Sequence, residues 1–240
     1  MESTYVESNF GSGTGKNCAV DVVIAALNEE EGIGLTLVEM LRYVSAKNVL
    51  VIDGHSKDRT VEVAKDMGAE VFFQDRIGKG DAIAKAVEHI DSDVDYVVIT
   101  DADFTYPAAY VPKMIQILEA NSCVGMVCGN RFNGLAEKRA LHSLFYIGNR
   151  LLAFTHNLLN GASLEDPLTG LRVIRAQILR DWKVKSKGFD IEVELNHHVE
   201  RKRYGIVEIP IRYRKRLGKK KLKASHGVTI LKRIILESMY

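Results

Sequence analysis

The stretch Tyr96-Val97-Val98-Ile99-Thr100-Asp101-Ala102-Asp103 decides how the rest of the chain is read. An apolar run, rich in β-branched residues, ends, and two carboxylates follow one residue apart. Such a run reads as a buried strand, and parallel strands of α/β proteins place their ligand sites at their carboxyl ends. Side chains two apart on an extended segment point the same way. Asp101 and Asp103 can therefore converge on one hard cation, which takes oxygen ligands and often bridges to substrate phosphates. A solvated turn is the alternative, because Asp is common in loops.

Outward from this stretch the pattern alternates. Strands are predicted over 19–26, 48–52, 70–74, 96–100, 124–129 and 205–213. Helices are predicted over 30–44, 60–67, 81–90, 110–120, 141–159, 174–182 and 191–203. This succession implies an α/β fold with a largely parallel sheet and right-handed crossovers. Residues 1–17 are polar and glycine-rich and are expected to form a flexible tail. Their Gly11-Ser12-Gly13-Thr14-Gly15-Lys16 imitates a phosphate loop, but Phe10 stands where the first glycine belongs and Asn17 where Ser or Thr belongs. The segment also precedes the first strand, whereas a phosphate loop follows one.

The 240 residues are 46% hydrophobic, ample for a core, and 27% charged, ordinary for a soluble domain. A net charge of +2 hides an uneven distribution: eight Lys or Arg crowd into 212–223 with no acid among them. Such a cluster suits phosphate groups or an anionic membrane face. The aromatic interleaving of a single-strand nucleic-acid binder is thin, so nucleic acid is not expected as a partner. The three cysteines, Cys18, Cys123 and Cys128, form no C-x-x-C and are odd in number. Reduced thiols and a cytoplasmic protein are expected. The first residues carry acids and no long apolar stretch, so no signal peptide is expected, and no window has the 18 or so apolar residues that span a bilayer.

Polar groups follow each early strand. Asn28, Glu29 and Glu30 follow the first, and Asp53-Gly54-His55-Ser56-Lys57-Asp58 the second. Helix capping accounts for Ser56 and Asp58. Asp53 reads equally as a cap and as a ligand contact. Gly78-Lys79-Gly80 precedes the third helix, where glycines allow close backbone approach and a helix N-terminus favours anions. An ordinary turn with an exposed Lys is the alternative. Acids gathered on one sheet edge repel one another unless cations or donor groups relieve them. His197 and His198 read as core or surface histidines.

Together these segments resemble the family-2 inverting glycosyltransferases of the GT-A fold. Ala25-Ala26-Leu27-Asn28-Glu29 is similar to their P-x-Y-N-E, residues 52–60 to their V-D-D-G-S-x-D-G-T, and Asp101-Ala102-Asp103 to their D-A-D. The dolichyl-phosphate mannose or glucose synthase branch is closer still. Residues 101–107 resemble its D-A-D-L-Q-H-P, Gly129-Asn130-Arg131-Phe132 its G-S-R-Y, and residues 166–172 its D-x-x-[ST]-G-[FL]-R. Glu208-Ile209-Pro210-Ile211 and residues 216–222 resemble its V-P-[IV] and R-x-G-x-S-K-L. The chain departs from these patterns at Ala25, Leu27, Gly54, Thr105 and Lys220, which replace proline, tyrosine, an acid, a glutamine and a serine.

The resemblance implies a GT-A catalytic domain over 18–223, a mostly parallel sheet flanked by helices, a basic loop, and an amphipathic C-terminal helix over 224–240. It implies transfer of mannose or glucose from a nucleotide sugar, GDP-mannose or UDP-glucose, to a polyprenyl (dolichyl) phosphate. The donor would rest on Ala26, Leu27, Glu29, Asp53, Lys79, Asp101, Ala102, Arg216 and Lys221. Asp101, Asp103 and Thr105 would hold Mg²⁺ or Mn²⁺. Arg131, and after it Arg139, would take the acceptor phosphate, and Asp166 would orient the acceptor or one of these arginines. Asp103, Arg131 and Asp166 are the implied catalytic set. Helices 141–159 and 228–236 carry apolar faces with basic flanks, which fit an interfacial helix at the cytoplasmic membrane face. Core packing explains the same pattern. Two other readings stand beside this one. One is a family-2 transferase with a sugar-hydroxyl acceptor and a general base near Asp166 or Asp190. The other is a non-catalytic basic module that docks on anionic lipid or nucleic acid through 212–223.

Overall fold

Seven short β-branched segments pair into one sheet, and the loops at its carboxyl edge carry the polar residues. The computed structural model describes residues 18–132, 144–223 and 225–239. The expected tail over 1–17 and the candidate Arg139 lie outside them. The strands are β1 (Val20–Ala26), β2 (Val49–Asp53), β3 (Glu70–Phe73), β4 (Tyr96–Asp101), β5 (Val124–Asn130), β6 (Arg172–Arg175) and β7 (Gly205–Pro210). Their order across the sheet is β3-β2-β1-β4-β6-β5-β7. All pairs are parallel except those of β6, which runs antiparallel to both β4 and β5.

The helices are α1 (Glu30–Met40), α2 (Thr60–Asp66), α3 (Lys79–Val87), α4 (Val111–Ala120), α5 (Leu144–Asn160), α6 (Ala176–Leu179), α7 (Ile191–Arg201) and α8 (His226–Glu237). Alternate strand residues serve opposite faces of the sheet. Val22, Ile24 and Val98 pack with Ile33, Leu37, Met114 and Leu118 of α1 and α4. Val23, Val97 and Ile99 pack with Ile83, Ile178, Ile191 and Leu195 of α3, α6 and α7. Both faces are therefore covered, as near-continuous apolar strands require.

The helix predicted over 174–182 is corrected. Its first residues belong to β6, and only Ala176–Leu179 is helical. Val173 faces one core and Ile174 the other. A strand buried on both faces shows no alternation, so periodicity cannot tell it from a buried helix. The antiparallel insertion puts the loop before β6, residues 166–170, beside the end of β4.

At the other side of the fold α8 packs on α5 and α7, with Val193, Ile230 and Ile234 at the centre of a small cluster. The outer surfaces of α5 and α8 stay apolar. Ile147, Leu151, Phe154 and Leu158 are 54–69% exposed, and Val228, Leu231 and Ile235 are exposed beside them in the chain's last helix. Among the described residues no helix is long and apolar enough to cross a membrane.

Candidate active site

Among the described residues, three of the four non-glycine residues with positive φ stand at the carboxyl ends of strands: Asn28 (48°) after β1, His55 (63°) after β2 and Phe104 (65°) after β4. Left-handed backbone at non-glycine positions is uncommon and gathers at functional sites. Cross-loop bonds hold these turns. Asn28 N donates to Ser56 Oγ at 2.7 Å, Lys57 N donates to Asn28 Oδ1 at 2.7 Å, and Glu29 N donates to Thr60 Oγ1 at 2.7 Å. Asp53 is fully buried and accepts from Ser56 N at 2.7 Å and Ser56 Oγ at 2.5 Å. Here it organises the β2–α2 turn, and the first helical residue beyond it is Thr60.

Asp101 and Asp103 lie where the sequence places them, and glycines shape the space around them. A Cβ on Gly170 would meet Asp101 Oδ2 at 2.5 Å, and a Cβ on Gly32 would meet the Ala102 carbonyl oxygen at 2.7 Å. Burial pushes the Asp101 carboxyl up, but the Lys79 ammonium beside it more than offsets this, and its pKa is lowered. Asp103 goes the other way. Burial and the neighbouring Asp101 charge raise its pKa against the bonds from Thr105 and Arg216. Burial likewise raises the Glu29 carboxyl, against Lys221 and Arg216.

Each acid has a cation of this chain upon it. Lys79 Nζ lies 2.6 Å from Asp101 Oδ1 and 2.7 Å from Glu192 Oε1. Arg216 Nη1 donates to Asp103 Oδ2 at 2.5 Å while its Nη2 reaches Glu29. Lys221 Nζ lies 2.6 Å from Glu29 Oε1. The basic segment after β7 is thus a strap across the strand ends. Its backbone is tied there by Arg214 N to the Thr105 carbonyl at 3.0 Å and Leu217 N to the Asp103 carbonyl at 3.2 Å. Arg214 also forks onto Glu39, at 2.7 and 3.1 Å, and lies over the Phe104 ring.

Thr105, an expected metal ligand, is fully buried and donates Oγ1–H to Asp103 Oδ1 at 2.6 Å, so its hydroxyl orients that carboxylate. Ala26 and Ala102 are buried at the ends of β1 and β4, and Leu27 is 40% exposed beside them.

Arg131, at the end of β5, forks onto Asp166 through Nε and Nη2, both at 2.7 Å, and packs its guanidinium against the rings of Phe132 and Tyr213. Burial alone would lower its pKa, but Asp166 and the nearby tyrosines keep it charged. Asp166 holds the Arg131 guanidinium in place. Glu208 holds the Asp166 turn by accepting from the Glu165 and Asp166 amides at 2.6 and 2.7 Å. Arg172 is fully buried and ties the same loop through the carbonyls of Thr169 and Pro167 and through Asn196 Oδ1. Burial, with Arg131 and Arg216 nearby, lowers the Lys220 ammonium, so the strap and Arg131 share one positive field.

Sequence reasoning passed over Glu192, Tyr213 and Arg214. An acid in the first turn of α7 reads as ordinary helix-dipole compensation, and nothing local names Lys79 as its partner. The carboxylate pair suits a divalent cation by its chemistry, with oxygens fixed on a rigid strand end. Among the described residues no group of three or more His, Cys, Asp or Glu could hold a metal by itself.

The doubly covered, mostly parallel sheet has the fold of solved GT-A glycosyltransferases. Residues 21–182 match the model of Glycosyl transferase family 2, and the chain belongs to that family of glycosyltransferases. It is 37% identical over 204 residues to a dolichyl-phosphate hexose transferase of Haloferax volcanii, covering 84% of this chain and 85% of the relative. It is 36% identical over 178 residues to glycosyltransferase AglJ of the same organism, covering 74% of this chain and 57% of that protein. The fold is similar to glucosyl-3-phosphoglycerate synthase from Mycobacterium tuberculosis, solved with Mn²⁺, UDP-glucose and phosphoglyceric acid. That likeness has a TM-score of 0.74 at 19% identity, covering 92% of this chain and 80% of the other.

Proposed function

We propose that this glycosyltransferase moves a hexose from a nucleoside diphosphate sugar to a polyprenyl phosphate at a membrane surface. The observation that carries the acceptor is that the two acids named as a general base for a hydroxyl acceptor, Asp166 and Asp190, are committed elsewhere. Asp166 is forked onto Arg131. Asp190 accepts from Arg233 Nε at 3.0 Å and from Gly188 N at 3.1 Å. A hydroxyl acceptor needs a base, whereas a phosphate oxygen is already ionised near neutral pH and needs positioning and charge compensation. Arg131 would position the phosphate through Nη1, on the side of the guanidinium that the Asp166 fork does not occupy. The name of the first Haloferax relative agrees with such an acceptor.

In this reading the acceptor phosphate oxygen forms a bond to the anomeric carbon as the bond from that carbon to the diphosphate breaks. The configuration inverts and the nucleoside diphosphate leaves. Asp101 and Asp103 would hold Mg²⁺ or Mn²⁺, which would supply charge neutralisation for the leaving diphosphate. Arg216 and Lys221 exchange their carboxylate partners for diphosphate oxygens, and Arg131 holds the incoming phosphate. Glu29, Asp53 and the ends of β1 and β2 surround the base and ribose. GDP-mannose and UDP-glucose both suit the site, GDP-mannose being the more familiar donor of the branch. The apolar faces of α5 and α8 would rest on the cytoplasmic face of the lipid that presents the acceptor.

The test is incubation with GDP-mannose, UDP-glucose or UDP-N-acetylglucosamine, Mn²⁺ and a polyprenyl phosphate, followed by chromatography of the lipid fraction. A lipid-linked hexose from one donor is expected. Transfer only to free sugars would overturn the acceptor.

A further inference from the structure

Glu192 reaches the acid pair through Lys79. The ammonium stands between two carboxylates, 2.6 Å from Asp101 Oδ1 and 2.7 Å from Glu192 Oε1. Lys79 and Glu192 are enclosed, at 11% and 8% exposed, and Asp101 is half-buried at 30%.

The bridge is built by backbone packing. Lys79 opens α3 and Glu192 lies in the first turn of α7. Gly80 N donates to the Lys187 carbonyl at 3.0 Å, and Cβ atoms on Gly78 or Gly80 would collide with the carbonyls of Lys187 and Ser186. Glu194, two residues further on in the same first turn, accepts from the amides of Lys185 and Ser186 at 2.7 and 2.5 Å. The starts of α3 and α7 are thereby locked together, and the Lys79–Glu192 distance follows from that lock. Glu192 Oε2 is buried and makes no hydrogen bond, so the carboxylate faces the lysine with one oxygen only.

A lysine beside a cation's ligand is electrostatically wrong unless its charge is cancelled. Lys79 alone would neutralise Asp101 and repel a divalent ion at the pair. With Glu192 the bridge is neutral as a unit, and Asp101 and Asp103 keep their two negative charges. We propose that Glu192 is a positioning residue of the donor site, which holds and neutralises Lys79 so that Asp101 stays available to the divalent ion. This rests on the reading of Asp101 and Asp103 as the cation's ligands.

The experiment is titration of the full chain with Mn²⁺ in the presence of GDP or UDP, read by electron paramagnetic resonance of free Mn²⁺. Wild type, Glu192→Gln, Lys79→Gln and the double variant are compared, with the melting temperature recorded for each. Glu192→Gln keeps shape and an acceptor but frees the lysine charge, so Mn²⁺ binding weakens about tenfold. Lys79→Gln tightens it, and the double variant returns to about the wild-type value. A structural role alone would move melting temperatures and leave Mn²⁺ affinity where it was. Unchanged affinity in Glu192→Gln, or a double variant as weak as that single one, overturns the proposal and leaves the donor site standing. If Glu192→Gln does not fold, Lys79→Gln decides, because failure to tighten Mn²⁺ overturns the proposal equally. Wild type that binds no Mn²⁺ with either nucleotide overturns the donor-site reading and this inference with it.

Discussion

Arg216 donates to Asp103 Oδ2 at 2.5 Å from a position 113 residues further along the chain, and with its other terminal nitrogen it holds Glu29. A divalent ion and this guanidinium want the same oxygens. Arg216→Gln is therefore expected to shift two affinities in opposite directions. Mn²⁺ alone binds about tenfold tighter, because a competing cation is gone. GDP or UDP with Mn²⁺ binds about tenfold weaker, because a charge-assisted donor to the diphosphate is gone. Calorimetry on both ligands checks this, and parallel shifts would refute the competition.

Arg131 carries the acceptor in the proposed reaction. Arg131→Lys keeps the charge but loses the planar fork onto Asp166 and the packing between Phe132 and Tyr213. Transfer to polyprenyl phosphate is expected to fall about a hundredfold, with donor binding within about twofold of wild type. Equal losses in both measurements would place Arg131 in the donor site instead.

Gly170 leaves room for the Asp101 carboxylate, since a Cβ there would lie 2.5 Å from Oδ2. Gly170→Ala displaces that carboxylate, and a misplacement of this size costs about a hundredfold in rate. Mn²⁺ affinity falls with it. A variant of normal rate would show that the Asp101 position is uncritical.

His156 and His197 lie 5.3 Å apart, ring centre to ring centre, in the packing between α5 and α7. Both rings are buried, and Nε2 of His197 has no hydrogen-bond partner. Burial lowers both pKa values from 6.5 to about 4, with the His197 ring adding to the effect on His156 and Arg201 to that on His197. Each ring takes its proton more readily in the unfolded chain. Stability is therefore intact above pH 6.5, declines as pH falls through the window down to about 4, and the loss is complete below it. A shift of that size corresponds to roughly 3 kcal/mol per ring. Thermal melts from pH 7.5 to 4.5 should show a steep acid slope, and His156→Leu should make it shallower. An identical slope in that variant would locate the acid sensitivity elsewhere.

Leu151 and Phe154 are 63% and 64% exposed on the outer face of α5. In the membrane reading, Leu151→Glu with Phe154→Glu reduces co-flotation with anionic lipid vesicles by about tenfold, while nucleotide binding is unchanged. Flotation equal to wild type would remove these helices from the contact.

Much of the fold and of the polar edge that carries the candidate site was legible in the chain. Alternating apolar periodicity marked most strands and helices, and acids directly after β-branched runs marked the active edge, because strand ends and polar loop residues are local signals. The basic run over 212–223 was equally plain. Its position was not. That Arg216 lies on Asp103, that Lys79 serves Glu192 as well as Asp101, and that Thr105 orients Asp103 are pairings set by loop closure and packing between distant segments. The same holds for β6, whose four residues between two buried faces carry no period of their own. Which apolar residues of α5 and α8 stay exposed was likewise decided by tertiary contacts, since an amphipathic pattern shows that a face exists but not what covers it. Local order of apolar and polar groups determined the elements and the edge at which the candidate site gathers. Three-dimensional packing decided which charge answers which, because electrostatic partners are chosen by distance in space and not by distance along the chain.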